Sequence, residues 1–185
     1  MIQTTAALFQ KQGYHGTGLA EIIDRSGAPK GSVYHHFPGG KEEIALCAIK
    51  RAGEDIEAMI VRCFAGDQGF DRGSAKLCSA LATWFDTTVE GTGCPIAAVL
   101  IDAADTSPRL ADACGAIFAG WRQAVHDAAR GEGFGPDHAD TLAQCVVIAL
   151  EGAWILARAQ RNGQAFHDAA QMIHAFAASL RESTA

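Results

Sequence analysis

The chain has 185 residues, of which 49% are hydrophobic and 19% are charged. These values exclude an intrinsically disordered chain, and folding of a chain this long buries roughly 70% of its unfolded surface. The net charge is −6, but residues 1–50 sum to +1 and the remainder to −7. The N-terminal quarter is therefore the part that would tolerate a polyanionic partner.

The apolar runs of the sequence are short. The run Cys145–Leu150 is among the longest and ends at Glu151, well below the ~18 apolar residues of a membrane span. The N-terminus lacks the basic start and apolar centre of a secretory signal. We therefore expect a cytoplasmic protein that does not contact a membrane.

The cysteines show no C-x-x-C pair and no nearby histidine at zinc-finger spacing, so neither a metal site nor a cofactor is expected. A free cysteine in an apolar helical stretch behaves as a small hydrophobic residue, and a redox sensor is the alternative. The six are Cys47, Cys63, Cys78, Cys94, Cys114 and Cys145.

Hydrophobic spacing near 3.6, interrupted by prolines and glycine clusters, predicts an all-α fold of about nine helices. Thr17 is placed to cap the second helix, and Gly27 supplies the turn after it. In chain order the predicted helices are Ile2–Gln12, Leu19–Arg25, Pro29–Phe37, Lys41–Phe64, Phe70–Val89, Pro95–Ala104, Pro108–Arg130, Asp137–Arg161 and Gln164–Arg181.

The second and third helices form a helix-turn-helix pattern. Ile22, Ile23 and Val33 are expected to pack inward. The outward positions of the third helix carry polar groups that reach phosphates or base edges. These are Lys30, Ser32, Tyr34, His35 and His36. The pattern by itself leaves DNA binding and plain packing as equal alternatives.

Catalytic spacings are absent from the sequence. It contains no H-E-x-x-H, no G-x-S-x-G, no P-loop and no complete G-x-G-x-x-G. Three carboxylates, Asp102, Asp105 and Glu151, lie in apolar helical segments. Each is either a buried functional group or a side chain that points to solvent or pairs with an arginine.

The segment ALFQKQGYHGTGLAEIIDRSGAPKGSVYHHFPGGKEEI, Ala7–Ile44, resembles the N-terminal domain of the TetR family of transcriptional repressors. The resemblance includes LF-x(3)-GY-x-GT, G-x-x-KGS-x-YHHF and the following K-E-E. Pro29 and the loop Pro38-Gly39-Gly40 resemble the LmrA/YxaF-type subgroup, as do GCPIAAVLID and EGAWILARAQRNG further along.

This resemblance implies a DNA-binding head of three helices, residues 1–44, and a helical body for ligand binding and dimerisation, residues 45–185. It implies a homodimeric repressor that binds a palindromic operator and is released by a small molecule. The three tryptophans of the body favour a flat or lipophilic inducer, and the absence of catalytic spacings argues against an enzyme. DNA contacts are expected from Lys30, Ser32, Tyr34 and His35, with phosphate contacts from Thr17, His36 and Lys41.

In the body, an apolar pocket is expected among the fifth to eighth helices, although ordinary core packing is the favoured interpretation for each lining residue taken singly. The lining candidates are Trp84, Phe85, Ile96, Leu100, Phe118, Trp121 and Trp154. Dimerisation is expected through the last two helices, by Leu142, Val146, Leu150, Ala153, Met172, Phe176 and Leu180. Small residues there, Ala149, Gly152 and Ala153, would let helices approach closely.

Two other classes remain open from the sequence. One is a helical enzyme or small-molecule-binding protein whose head resembles a helix-turn-helix for packing reasons only. The other is a protein-interaction module, which a large exposed apolar patch outside the dimer surface would favour. DNA affinity without turnover of a bound small molecule would separate the repressor from the enzyme.

Overall fold

The computed structural model describes residues 1–66, 69–87 and 93–182. Within these ranges every regular element is a helix, which confirms the predicted all-α class. The helices are α1 (Ile2–Gln12), α2 (Leu19–Ser26), α3 (Lys30–His36), α4 (Gly40–Phe64), α5 (Phe70–Thr87), α6 (Pro95–Ala103), α7 (Pro108–Gly131), α8 (Pro136–Gln160) and α9 (Gln164–Glu182).

Where the structure describes both, the observed helix ends lie within one residue of the predicted ones. Pro29 precedes α3 as its N-cap instead of opening the helix. Gly18, not Thr17, is the N-cap of α2, because the Thr17 hydroxyl donates to the carbonyl of Gly13 at 2.8 Å. The predicted end of the fifth helix at Val89 lies outside the described residues.

The chain divides into two compact units. The first comprises Met1–Asp55 and Thr92–Ile117, and in it α1 packs against α2 and α6. Its fully buried side chains each contribute roughly 1.5–3 kcal/mol to folding by leaving water. The largest of them are Phe9, Ile22, Ile44, Ile49, Ile96 and Leu110.

The second unit comprises Ile56–Gly91 and Phe118–Ala185, and in it α9 packs against α5 and α8. The corner between α8 and α9 lies close to α5. The N–H of Gly163 donates to Asp86 at 2.7 Å, and a Cβ at Gly163 would lie 2.9 Å from backbone atoms of Ala82. Only glycine fits this corner without moving the backbone of α5.

In the described residues, α8 is the one helix long and apolar enough to cross a membrane, by length and composition. The core helix of a globular protein can have the same length and composition. In this fold α8 packs against α5 and α9 as such a core helix does.

Burial differs among the six cysteine thiols, from fully buried to exposed. Burial raises the pKa of the Cys78 thiol to about 12 and that of Cys114 to about 11. Cys47, by contrast, is exposed. The buried cysteines occupy positions of the kind that small hydrophobic residues fill.

We expect a thiol reagent at pH 8 to label Cys47 in the native protein and to leave Cys78 and Cys114 unlabelled. The reason is that fewer than about one in a hundred buried thiols is ionised at that pH, and the thiolate is the reactive form. Mass spectrometry of labelled peptides measures this directly, with protein unfolded in guanidinium as the control in which all six cysteines react. Fast native labelling of Cys78 would contradict its burial.

Candidate nucleic-acid interface

The helix-turn-helix pattern predicted from the sequence is present in the first unit. Gly27 ends α2 in the left-handed conformation, with φ of 66°, which glycine adopts without strain. Ile22 of α2 and Val33 of α3 are both buried. The two short helices are therefore held by an apolar core that uses a single residue of α3.

The other side chains of α3 point away from that core. Val33 is the one buried residue of the helix. Tyr34 is half-exposed, at 50%, although tyrosine is a large apolar ring that packing normally covers. The remaining predicted contacts of this helix are all exposed, namely Lys30, Ser32, His35 and His36. A seven-residue helix with one buried side chain and a polar outer face suits insertion into a DNA groove.

Thr17 does not fit the predicted phosphate contact. Its side chain is fully buried, and its hydroxyl is committed to the carbonyl of Gly13. The sequence prediction considered only the local helix start, whereas the hydroxyl closes the connection between α1 and α2. We therefore remove the Thr17 side chain from the candidate phosphate contacts.

Lys41 lies in the first turn of α4, where its charge is unfavourable to the helix dipole, and the structure gives it partners outside that helix. Its Nζ donates to the carbonyls of Tyr14 and Thr17, each at 3.1 Å, and lies 4.2 Å from the centre of the Tyr14 ring. Burial lowers the pKa of this ammonium, and the negative charge of Asp102 opposes the lowering. Burial also raises the pKa of the Tyr14 hydroxyl, with a smaller contribution from Glu42.

Lys41→Met should lower the free energy of unfolding by about 1–2 kcal/mol, because two charge-assisted hydrogen bonds and the ring contact are lost at a half-buried site. In a chain of this size the melting temperature should fall by roughly 2–8 °C. Lys50→Met, an exposed lysine on the same helix, is the matched control and should leave the melting temperature unchanged. An unchanged melting temperature in Lys41→Met would mean that these contacts are not formed in solution.

A set of long-range polar contacts near α6 was not predicted from the sequence. The N–H of His15 donates to the Asp102 carboxylate, and the His15 ring lies 3.1 Å from the Thr106 hydroxyl. Of the three carboxylates singled out in apolar segments, Asp102 thus has a backbone partner and Asp105 is exposed. The one feature of the sequence that points to these contacts is that Asp102 is the sole charged residue of α6.

Glu42 makes a second set of such contacts. It accepts a hydrogen bond from the Ser107 hydroxyl and pairs with Arg109 at 3.2 Å. Arg109 is largely exposed, so the ion pair by itself contributes little to stability. The Glu42–Arg109 pair instead connects the start of α4 to the start of α7.

The aromatic residues predicted to line a pocket form two clusters within the second unit. Trp154 lies edge-to-face with Trp84, at 5.1 Å between ring centres, and with Phe166 at 5.0 Å. Phe85 is 6.2 Å from Trp154. Trp121 instead pairs with Phe118 at 5.2 Å. Two of the three tryptophans are therefore in mutual contact, while Trp121 belongs to a different pair.

The two remaining lining candidates belong to the first unit. Ile96 is fully buried in its core, and Leu100 is partly buried on the same helix, α6. Both are thus placed as packing residues of that unit.

Two family models match the chain. The model of bacterial regulatory proteins of the tetR family covers residues 1–47, and the model described as the LmrA/YxaF-like C-terminal domain of transcriptional regulators covers residues 43–172. The second match alone spans more than half of the chain. The chain belongs to the TetR family.

Relatives within this family agree with that assignment. The TetR-type regulator LmrA of Bacillus subtilis is 32% identical over 162 residues, covering 88% of this chain and 86% of its own length. An uncharacterized regulator of Mycobacterium tuberculosis is 34% identical over 172 residues, covering 88% and 84%. These relatives are named as transcriptional regulators, which confirms the prediction of a regulator over that of an enzyme.

Solved TetR structures share the fold. A regulator from Legionella pneumophila superposes with a TM-score of 0.82 at 18% identity, covering 94% of this chain and 92% of its own. One from Chloroflexus aurantiacus superposes with a TM-score of 0.76 at 28% identity, covering 95% and 90%. A cysteine mutant of the TetR-family regulator CifR, complexed with 26-bp operator DNA, has a TM-score of 0.77 at 18% identity and covers 93% and 92%.

In this TetR protein, the observed burial of residues on α8 corrects part of the predicted dimer surface. Leu142, Val146, Leu150 and Ala153 are buried within a single chain. They form the side of α8 that faces its own core and are not available to a partner. Three of the predicted residues on α9 do reach the surface, of which Met172 is 66% exposed and Phe176 and Leu180 are partly buried.

A different side of α8 is apolar and accessible. Ile148 is 61% exposed, and Ile155 and Leu156 are also exposed. Together with α9 this side encloses a groove of about 530 Å³. The groove is lined by Asp140, Thr141, Gln144, Cys145, Ile148, Ala149, Met172 and Phe176. We call the surface made by the groove residues with Gly152, Ile155 and Leu156 the α8–α9 face.

Proposed function

We propose that this TetR-family regulator is a homodimeric repressor that reads a palindromic operator through α3 and acts in the cytoplasm, where the operator lies. The observation that carries the proposal is the outer surface of α3, where Lys30, Ser32, Tyr34, His35 and His36 are all exposed around the single buried Val33. Lysine and histidine reach phosphates, and serine, tyrosine and histidine reach base edges.

Selection from random duplexes with the purified protein tests the proposal. We expect a palindromic consensus, with affinity that falls as salt rises with a slope of roughly −0.9 per phosphate neutralised. The matched control is the same selection with a variant in which Tyr34 and His35 are both alanine. Recovery of no consensus by the wild-type protein, at low as well as moderate salt, would contradict operator binding.

Dimerisation through the α8–α9 face supports the palindromic site. A monomeric protein would leave the exposed apolar side chains of this face in water. A dimer with a twofold axis through the face would cover the same residues on both copies. A Cβ at Gly152 would meet nothing within 4 Å in a single chain, so the fold of one chain does not require glycine there. A small residue such as glycine would be required if the helix of a second copy packed closely against α8 at this position.

The ligand site is proposed within the second unit, near the cluster of Trp84, Phe85 and Trp154. Trp84 is partly exposed, so a small molecule could reach its ring face. Aromatic faces favour a flat or lipophilic compound. Phe118 and Trp121, which contact each other on α7, are a second candidate surface for the ligand in the same unit. Ile96 and Leu100 belong to the first unit and are left out of this proposed site.

We expect a compound that releases the operator to quench tryptophan fluorescence. Because coupling between sites is reciprocal, the operator should weaken binding of that compound by the same factor, about 5- to 150-fold. Fluorescence titrations of wild type, Trp84→Phe and Trp121→Phe, with and without duplex, measure both effects. Equal affinity for the compound in the presence and absence of operator would contradict the inducer model.

A further inference from the structure

The connection between α1 and α2 is attached to the end of α6 by one carboxylate. Asp102, in the last turn of α6, accepts the N–H of His15. A Cβ at Gly13 would lie 2.9 Å from the same carboxylate oxygen, and Gly13 has φ of 76°. The approach of Asp102 therefore depends on a glycine at that position for both space and backbone conformation.

His15 is held at a second atom by the residues that follow α6. Its ring nitrogen Nε2 lies 3.1 Å from the hydroxyl of Thr106, and that hydroxyl also contacts the carbonyl of Ala103 at 3.2 Å. On the other side of the connection, Lys41 binds the carbonyls of Tyr14 and Thr17. The connection thus contacts α4 at one side and α6 at the other.

These two attachments lie before and after α3 in the chain. Residues 15–17 lie just before Gly18, the N-cap of α2, and Lys41 and Glu42 lie in the first turn of α4. The segment that contains α2 and α3 therefore lies between these two attachments in the chain. Glu42 is itself bound by Ser107, which follows α6. Both ends of the helix-turn-helix segment are consequently tied to residues 102–109, all within the first unit.

We propose that Asp102 is a positioning residue for operator binding, which sets the placement of α2 and α3 relative to α6 through its hydrogen bond with His15. This inference rests on the proposed function, because it concerns how the head is presented to DNA. A carboxylate suits the task because a backbone N–H bonds more strongly to a charged acceptor than to a neutral one. Asp102 itself touches no DNA in this proposal.

The first measurement needs no DNA. Amide hydrogen exchange of the free protein, followed on peptides that contain residues 13–17, should be about ten- to a hundredfold faster in Asp102→Ala than in wild type. Asp102→Asn should change it less, because its amide oxygen still accepts a hydrogen bond. Asp105→Ala is the matched control, since Asp105 is exposed three residues later, and it should leave exchange unchanged.

The second measurement uses the selected operator with its two half-sites moved apart or together by one or two base pairs. Wild type and Asp105→Ala should prefer one spacing at least about tenfold, whereas Asp102→Ala should bind the series with nearly equal affinity. A variant that is merely less folded would lose affinity on every duplex and keep its preference. If the alanine variant does not fold, Asp102→Asn gives the same comparison with a smaller expected loss of the spacing preference, because its amide oxygen is an uncharged and weaker acceptor.

Unchanged exchange at residues 13–17 in both Asp102 variants, or an unchanged spacing preference, would overturn the proposal. Failure of the wild-type protein to bind any duplex would overturn the proposed function instead. The exchange measurement would then still decide whether Asp102 holds the connection between α1 and α2.

Discussion

Ile148→Glu is expected to turn the dimer into a monomer. In the proposed twofold contact the substitution places one glutamate from each copy in an apolar surface, where neither charge has a partner. The cost is at least about 4 kcal/mol, which raises the dimer dissociation constant roughly a thousandfold. Sedimentation velocity at micromolar concentration measures the change as a loss of about half the mass, and operator affinity should fall with it.

Val61→Glu is the matched control for that experiment. Val61 is 57% exposed on α4, close to the exposure of Ile148, and it does not belong to the α8–α9 face. It should leave the dimer intact. Gly152→Leu offers a second route, because the added side chain meets nothing in one chain but would obstruct a second helix. A dimer that survives both Ile148→Glu and Gly152→Leu would move the interface to another surface.

Tyr34→Ala is expected to weaken operator binding by about 1–3 kcal/mol in each head, or at least roughly 30-fold for the two heads of a dimer. The half-exposed ring has little packing to lose, so the melting temperature should change little. Fluorescence anisotropy with the selected duplex at fixed salt measures the affinity. Tyr34→Phe separates the hydroxyl from the ring.

Lys30→Ala provides the comparison that tells base reading from phosphate binding. Its loss should weaken all duplexes alike and reduce the salt slope by roughly 0.9 per phosphate contact, whereas Tyr34→Ala should relax sequence preference. Wild-type affinity and preference in Tyr34→Ala would exclude Tyr34 from base reading and contradict the proposed role of α3.

The DNA-binding helices were predictable because their signals are local. Gly27 has the backbone conformation that the turn needs, and the burial of Ile22 and Val33 follows from spacing within a few residues. Thr17 was predicted less well for the same reason. Helix-capping preferences describe the residues that follow, whereas its hydroxyl bonds backward to Gly13.

The proposed dimer surface and the attachment at Asp102 depend on which helices pack together, and helical periodicity does not specify that. The helix α8 carries two apolar sides, one with Leu142 and Val146 and the other with Ile148 and Ile155. Helical periodicity finds both but does not tell which one faces the chain's own core. Asp102 and His15 are 87 residues apart, so their contact required the folded chain.

Two glycines eleven positions apart near the end of the chain are constrained in different ways. Any side chain at position 163 would clash with the backbone of α5 within the same chain. A Cβ at Gly152 meets nothing in a single chain, and in the proposed dimer it would meet the second copy. After a gene duplication, a bulky residue at position 152 in one copy, with a compensating small residue opposite it, would allow two paralogues to stop forming mixed dimers. Each could then acquire its own operator without interference from the other.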